Sequence, residues 1–365
     1  MDRRNFIKTS GIATGAVAAV AAPAVAQSNP KISWRLTSSY PKNLDTLYGL
    51  STHLAKRVAE ATDNQFQIQT FAAGEIVPAL QALDAVQNGT VECSHTLSSF
   101  YIGKDPAFAF DTSLPFGLNT RQQNAWLYQG GGLELVRDFM KGYNVHVIPS
   151  GNTGAQMGGW FRKEIKSVAD LKGLKMRIAG IGGTIMARLG VVPQQIGGGD
   201  IYAALERGTI DAAEFSGPHD DEKLGFQKVA KYYYYPGWWE GCANVSFFVN
   251  MEKWNGLPAH YRAVLEAACA ETLTLSVAKY DNQNPDALYR LVAAGAELKG
   301  FPQDVMQAAF KEAMALYGEL AASNPNFKKF YESWLPYWRK EQVWFRVAEL
   351  PFDAFVSAQA QMQGR

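Results

Sequence analysis

Cysteine is scarce: three in 365 residues, Cys93, Cys242 and Cys269, too few for a disulfide scaffold and too far apart for a C-x-x-C ligand cluster. At most one bridge can form, and the ordinary use of such thiols is as small buried apolar side chains. No charge of one sign dominates, since 35 basic residues face 34 acidic ones; nothing in that balance suggests a polyanion-binding surface. The five histidines, His53, His95, His146, His219 and His260, never form H-x-x-x-H, so the helical zinc-protease arrangement is absent. There is no G-x-S-x-G elbow and no P-loop. Gly180-Ile181-Gly182-Gly183-Thr184-Ile185 comes near a dinucleotide loop, but Ile185 stands where the third glycine is needed. No nucleophile is visible beside its base. Binding is therefore a stronger class than catalysis.

What the chain does have is apolar material, 47% hydrophobic and 12% aromatic, enough for one or two lobes. Residues 1–26 join a charged head, Asp2-Arg3-Arg4-Asn5-Phe6-Ile7-Lys8, to an Ala/Val/Gly-rich run and the small-residue site Ala24-Val25-Ala26. That is the pattern of a removable export signal. The run is shorter than the roughly 20 residues a spanning helix needs, and the paired arginines resemble a twin-arginine signal. The expected location is the periplasm, with 32 basic and 33 acidic residues remaining after cleavage.

Beyond the signal, strand and helix periods alternate as in α/β units with mostly parallel strands. Expected strands are Ile32 to Leu36, Phe66 to Phe71, Val91 to Leu97, Val145 to Pro149, Leu174 to Ile178, Val191 to Ile196, Ile210 to Glu214 and Asn244 to Asn250. Leu44, Leu47, Leu50, Leu54 and Val58 mark one helix face. Ala85 to Cys93 echoes Ala204 to Ala212, each reading as helix, glycine stop at Gly89 or Gly208, then strand. The last third is mostly helical. Its spacing predicts one helix over 258–284, about 40 Å long, ending before Pro285. Phe327, Phe330, Trp334, Tyr337, Trp338, Trp344 and Phe345 form an aromatic stripe that suits packing or an oligomer interface. Tyr232 to Trp239 reads as a strand covered on both faces that leads to Glu240, rather than as a sugar-stacking platform.

Gly173 to Ile178, Ala204 to Glu214 and the paired-arginine signal together resemble a solute receptor of a tripartite ATP-independent periplasmic (TRAP) transporter. Asn152 to Phe161 and Tyr232 to Gly241 make the chain similar to the branch that binds 2-oxo acids with a metal ion. The resemblance implies a two-lobed, type II-like α/β solute-binding fold with a long connecting helix and a helical C-terminal region. Lobe I would take residues 27–150 and about 240–265, lobe II residues 151–239 and about 266–322, and residues 323–365 would form a C-terminal segment. It also implies a homodimer through those helices, small and large membrane subunits as partners, and a small organic acid as ligand.

Arg177 is the expected carboxylate partner, a long cation in the apolar run of Leu174, Met176 and Ile178 whose guanidinium offers two parallel donors. Glu214 and Glu240 adjoin apolar or aromatic segments where unpaired carboxylates are costly, so a shared cation would satisfy both. With the Gln156 amide and the Phe215 carbonyl they make an oxygen-rich set suited to Na⁺ or Ca²⁺, which could bridge to the acid. Gln156, Glu240 and Phe215 would thereby also touch the ligand. Asn152 is the expected amide donor by the Asn-Thr-Gly-x-Gln motif, and Tyr101, Trp238 and Trp239 are candidates for the walls. The resemblance puts Trp where this chain has Phe215, which removes an indole donor. Pyruvate or another 2-oxo acid is the expected ligand. The rivals are lactate and other 2-hydroxy acids, a sugar or sugar acid, and a periplasmic oxidoreductase carrying a cofactor.

Overall fold

The computed structural model describes residues 29–363; the expected export signal lies outside them. Eleven strands occur among the described residues: β1 (Ile32–Ser38), β2 (Phe66–Phe71), β3 (Cys93–Thr96), β4 (Val145–Asn152), β5 (Gly159–Phe161), β6 (Lys175–Arg177), β7 (Val192–Gln194), β8 (Ala212–Ala213), β9 (Tyr232–Tyr235), β10 (Asn244–Asn250) and β11 (Glu297–Gly300). They form two sheets, in the orders β2-β1-β3-β10-β4 and β11-β9-β5-β8-β6-β7. Each sheet is mixed rather than mostly parallel, because one strand in each runs against its neighbours: β10 in the first and β5 in the second. Those two strands follow two of the three places where the chain changes sheet, 153–158 between β4 and β5 and 236–243 between β9 and β10; the third is the helical stretch between β10 and β11.

The echoed segments fall one in each sheet. Gly89 and Gly208 both adopt φ +71°, the left-handed conformation that ends a helix, and β3 and β8 each begin four residues later. The helix Leu47–Ala61 buries Leu47, Leu50, Leu54 and Val58, the spacing of one helical face. The expected strands are present, β2 and β10 with the expected ends and the others with shifted ones, β8 reduced to two residues, while β5 and the edge strand β11 were not anticipated. In β9 the successive residues Tyr233 and Tyr234 are both buried, which means cover on both faces.

The long helix runs from Ala259 to Ala293 and carries Pro285 inside it, so it does not stop where the proline suggested. Pro285 removes one backbone donor, but the buried face continues beyond it through Ala287 and Leu291. Tyr261, Leu265 and Cys269 pack into the core of the first sheet with Trp34, Phe66 and Phe247. Leu291 packs into that of the second with Trp160, Ile201 and Phe226. One helix of about 52 Å thus serves both cores. All three cysteines are buried and free.

Three helices complete the chain: Gln303–Ser323, Pro325–Ala348 and Leu350–Gln363. The aromatic stripe lies wholly in the second of them, buried at its start and exposed at its end, and exposed apolar residues continue into the third. Phe327, Phe330 and Trp334 are buried, with Phe330 stacked on Phe110; Trp344, Leu350, Phe352 and Phe355 are about two-thirds exposed, between 60% and 66%. No described helix is long and apolar enough to cross a membrane.

Candidate ligand site

Arg177 ends β6 and Glu214 follows β8. These strands are parallel neighbours, with Arg177 opposite Ala213, so both side chains emerge at the same carboxyl edge of the second sheet, where open α/β sheets hold ligands. Gln156 lies on the first crossing segment and Glu240 on the second. The crossings are tied together: Gly237 N–H donates to Gln156 O at 3.0 Å, and Thr153 N–H to Ala243 O at 3.1 Å. Gly237 is required there, since a Cβ would stand 2.7 Å from Gln156 O. Tyr40, Leu47, Leu97, Phe100, Thr153 and Phe215 line the same small cavity as Arg177, Glu214, Gln156 and Glu240. Its room for the centre of a water-sized sphere is about 20 Å³, little more than one such sphere.

Arg177, 2% exposed, does not hold its whole fork free. Nη1 donates to Glu214 Oε1 at 2.6 Å and to Glu214 O at 2.5 Å, and Nε donates to Ile196 O at 3.1 Å. Nη2 has no acceptor among the described residues. The expected pair of parallel donors is thus reduced to one, because the nearest anion is Glu214 itself. The Phe215 ring covers the guanidinium at 5.6 Å.

Glu214 Oε1 also accepts Ala179 N–H at 2.9 Å, which leaves Oε2 without a donor. Burial raises the Glu214 pKa despite the Arg177 charge. Glu240 is pushed up to about 8 by burial and then by the Glu214 charge, against the pull of Arg177, Gln156 and Ser99. Two carboxylates that oppose each other's ionisation share one guanidinium.

The Gln156 amide has a fixed orientation. Thr153 Oγ1 donates its proton to Gly154 O at 3.1 Å, so toward Gln156 it can only accept, taking Nε2–H at 3.0 Å. Gln156 Oε1 is left buried without a donor. The Phe215 carbonyl likewise accepts no hydrogen bond among the described residues. With Glu214 Oε2 and Glu240 these are oxygen atoms alone, and no group of three His, Cys, Asp or Glu that could hold a metal occurs among the described residues. The set fits a hard cation, Na⁺ or Ca²⁺, and not zinc.

Four anticipated residues lie elsewhere. Asn152 is buried, but its Oδ1 accepts Gly154 N–H at 2.9 Å and Thr120 Oγ1–H at 3.3 Å; it shapes the crossing and does not line the cavity. Tyr101 joins its hydroxyl to Thr96 Oγ1 at 2.7 Å and to Leu83 N–H at 3.2 Å, which turns the ring into the core against Phe108. Trp238 and Trp239 also pack inward, Trp238 stacked on Phe116 and Trp239 edge-on to Phe301. Sequence reasoning missed the lining residues Leu47, Leu97, Phe100, Thr153 and, the one with a distinctive polar group, Tyr40. Its signal was its place just beyond β1, at a strand's carboxyl end.

The description "Bacterial extracellular solute-binding protein, family 7" matches residues 37–324 of the chain. The chain belongs to that family. This receptor is 51% identical over 98% of its length, and all of the other's, to a monocarboxylate 2-oxoacid-binding periplasmic protein of Nostoc sp.. A TRAP transporter solute-binding protein of Bordetella bronchiseptica is 54% identical, with TM-score 0.91 over 92% of this chain and all of that one; it is a dimer with calcium and picolinate in one active site and an apo second site. One from Pseudoalteromonas atlantica, with sodium and pyruvate bound, is 37% identical, with TM-score 0.85 over 88% of this chain and 98% of that one. The receptor is thus a periplasmic TRAP solute-binding protein, and these two solved relatives hold Ca²⁺ beside picolinate and Na⁺ beside pyruvate.

Proposed function

We propose that the receptor captures a small 2-oxo monocarboxylate together with Na⁺ or Ca²⁺ and presents it to the small and large membrane subunits of a TRAP transporter. The observation that carries this reading is the set of unpartnered oxygens, Gln156 Oε1 and Glu214 Oε2 beside Glu240, next to the unengaged Arg177 Nη2. Gln156, Glu214, Glu240 and the Phe215 carbonyl would hold the cation, which supplies positive charge to a carboxylate oxygen and the 2-oxygen of the acid. Arg177 Nη2 donates to the carboxylate. Leu47, Leu97, Phe100 and Phe215 exclude water, so each polar contact counts for more than in bulk solvent. Asn152 acts on the acid through the crossing it shapes.

The two sheets correspond to the lobes, with changeovers near residues 150, 240 and 265, and the tight cavity fits a state in which they have closed. Closed walls favour pyruvate or another short acid over a sugar acid. The exposed apolar residues of 343–362 join two copies through their C-terminal helices, and the paired-arginine leader exports the folded chain.

Calorimetric titration of the metal-stripped mature protein tests the function. Pyruvate, longer 2-oxo acids, lactate and glucuronate are each added with Na⁺ or Ca²⁺ restored in turn. Tight binding of a 2-oxo acid only with its cation is expected. Binding indifferent to the cation overturns the metal role, and preference for lactate or glucuronate overturns the acid class.

A further inference from the structure

We infer that Tyr40 is a binding residue, its phenolic hydroxyl serving as the second donor to the ligand's carboxylate beside Arg177 Nη2, so that the acid is held from both sheets. This rests on the carboxylate reading of the site. Tyr40 is 2% exposed and lines the cavity, yet its hydroxyl is buried with no hydrogen-bond partner among the described residues. A buried phenol left that way loses its hydration without return. Its own packing cannot supply the acceptor: Leu44, Leu47, Leu50 and Val245 pack with the ring, and the other hydroxyls there are engaged, Tyr280 with Asp220 at 2.6 Å and Tyr48 with Thr70. The position is nonetheless fixed. Tyr40 N–H donates to Ser38 Oγ at 3.2 Å, and Tyr40 O accepts Ala73 N–H at 3.1 Å.

Burial above all, and then the neighbouring Tyr101, Glu240 and Asp220 groups, keep the proton on this hydroxyl, with Arg177 opposing them, so it remains a donor beside two of the groups that meet the acid. A carboxylate buried beside one free guanidinium donor needs a further one. Tyr40 supplies it from just beyond β1 of the first sheet, whereas Arg177 and Glu214 belong to the second. The contact therefore forms only when the carboxyl edges of both sheets face the same ligand. It reports closure as well as identity.

The test is Y40F, which removes one oxygen and keeps the ring. Acid affinity with saturating cation, cation affinity without acid, and melting temperature of the free protein are measured for Y40F and wild type. The expected result is pyruvate binding weakened about tenfold to hundredfold, the range of a hydrogen bond to a charged group. Cation affinity should stay unchanged and the free variant should melt no lower than wild type. Unaltered acid affinity in Y40F beside a binding wild type overturns the inference alone. A lower melting temperature of free Y40F also overturns it, by showing that the hydroxyl serves the fold. Wild type silent toward every 2-oxo acid overturns the reading of the site, and the inference with it.

Discussion

Two pairs of buried carboxylates sit close along this chain and are treated in opposite ways. Asp220 and Asp221, both fully buried, are served by neutral donors. Thr46 Oγ1 donates to Asp220 Oδ1, Tyr280 to its Oδ2 at 2.6 Å, and Tyr233 and Trp160 both donate to Asp221 Oδ2, at 2.7 and 3.0 Å. Glu214 and Glu240 are buried too but share one arginine and have few donors. Both pairs are pushed toward protonation by burial; Asp221 rises to about 7 and Glu240 to about 8. Depth is therefore no guide to function. What separates the two pairs here is the kind of partner: neutral donors of the fold serve three of the four Asp oxygens, with Asp221 Oδ1 left over, whereas Glu214 and Glu240 depend on the charge of one guanidinium.

The largest disruption of the contrast is Arg177→Ala. It strips the second pair of its one cation and should cost about 3–5 kcal/mol of stability, as breaking a buried ion pair does, and reduce acid affinity by at least roughly 100-fold. Arg177→Lys should recover part of both. Melting curves and titration of the two variants measure the outcome, and equal affinity in all three proteins would remove Arg177 from the site.

Glu240→Gln makes a smaller change, since it keeps the shape and ends the repulsion. Glu240 binds its proton more tightly folded, with a pKa of about 8 against 4.5. Its stabilising effect is thus complete below about pH 4.5 and fades as pH climbs to 8. Metal-free wild type should lose melting temperature between pH 5 and 8.5, and Glu240→Gln should lose less. The remaining slope belongs to Asp111, raised to about 6, to Asp220, to Asp221 and to Glu214. Cation affinity should fall by about tenfold or more in the variant. An identical slope and affinity would return Glu240 to a structural role.

Asp221→Asn sharpens the contrast from the other side. It sets an amide against the Tyr233 and Trp160 donors and should cost about 1–3 kcal/mol of stability, while acid affinity stays within about threefold of wild type. A large affinity loss in a folded variant would erase the distinction between the pairs.

Much of this was legible in the residues. Periodicity located β1, β2 and β10, and the echo around Gly89 and Gly208 identified matching joints in the two sheets, because helix stops and β-branched runs are local signals. Arg177, Glu214 and Glu240 stood out because charge in an apolar setting is costly wherever the chain goes. Other features were not local. Pro285 sits inside its helix because packing of Leu291 outweighs one missing hydrogen bond. Asn152 and Tyr101 turn away because Gly154, Thr96 and Leu83 lie nearer to them than the cavity does, which only the folded arrangement decides. Tyr40 was missed for the converse reason: a tyrosine among leucines reads as core until its hydroxyl is found without a partner.

The 35-residue helix from Ala259 to Ala293 has a consequence for how the protein comes apart. Cys269 helps to seal one core and Leu291 the other, so loosening either sheet frees a stretch of helix on which the other depends. Heating should therefore give one calorimetric transition rather than two.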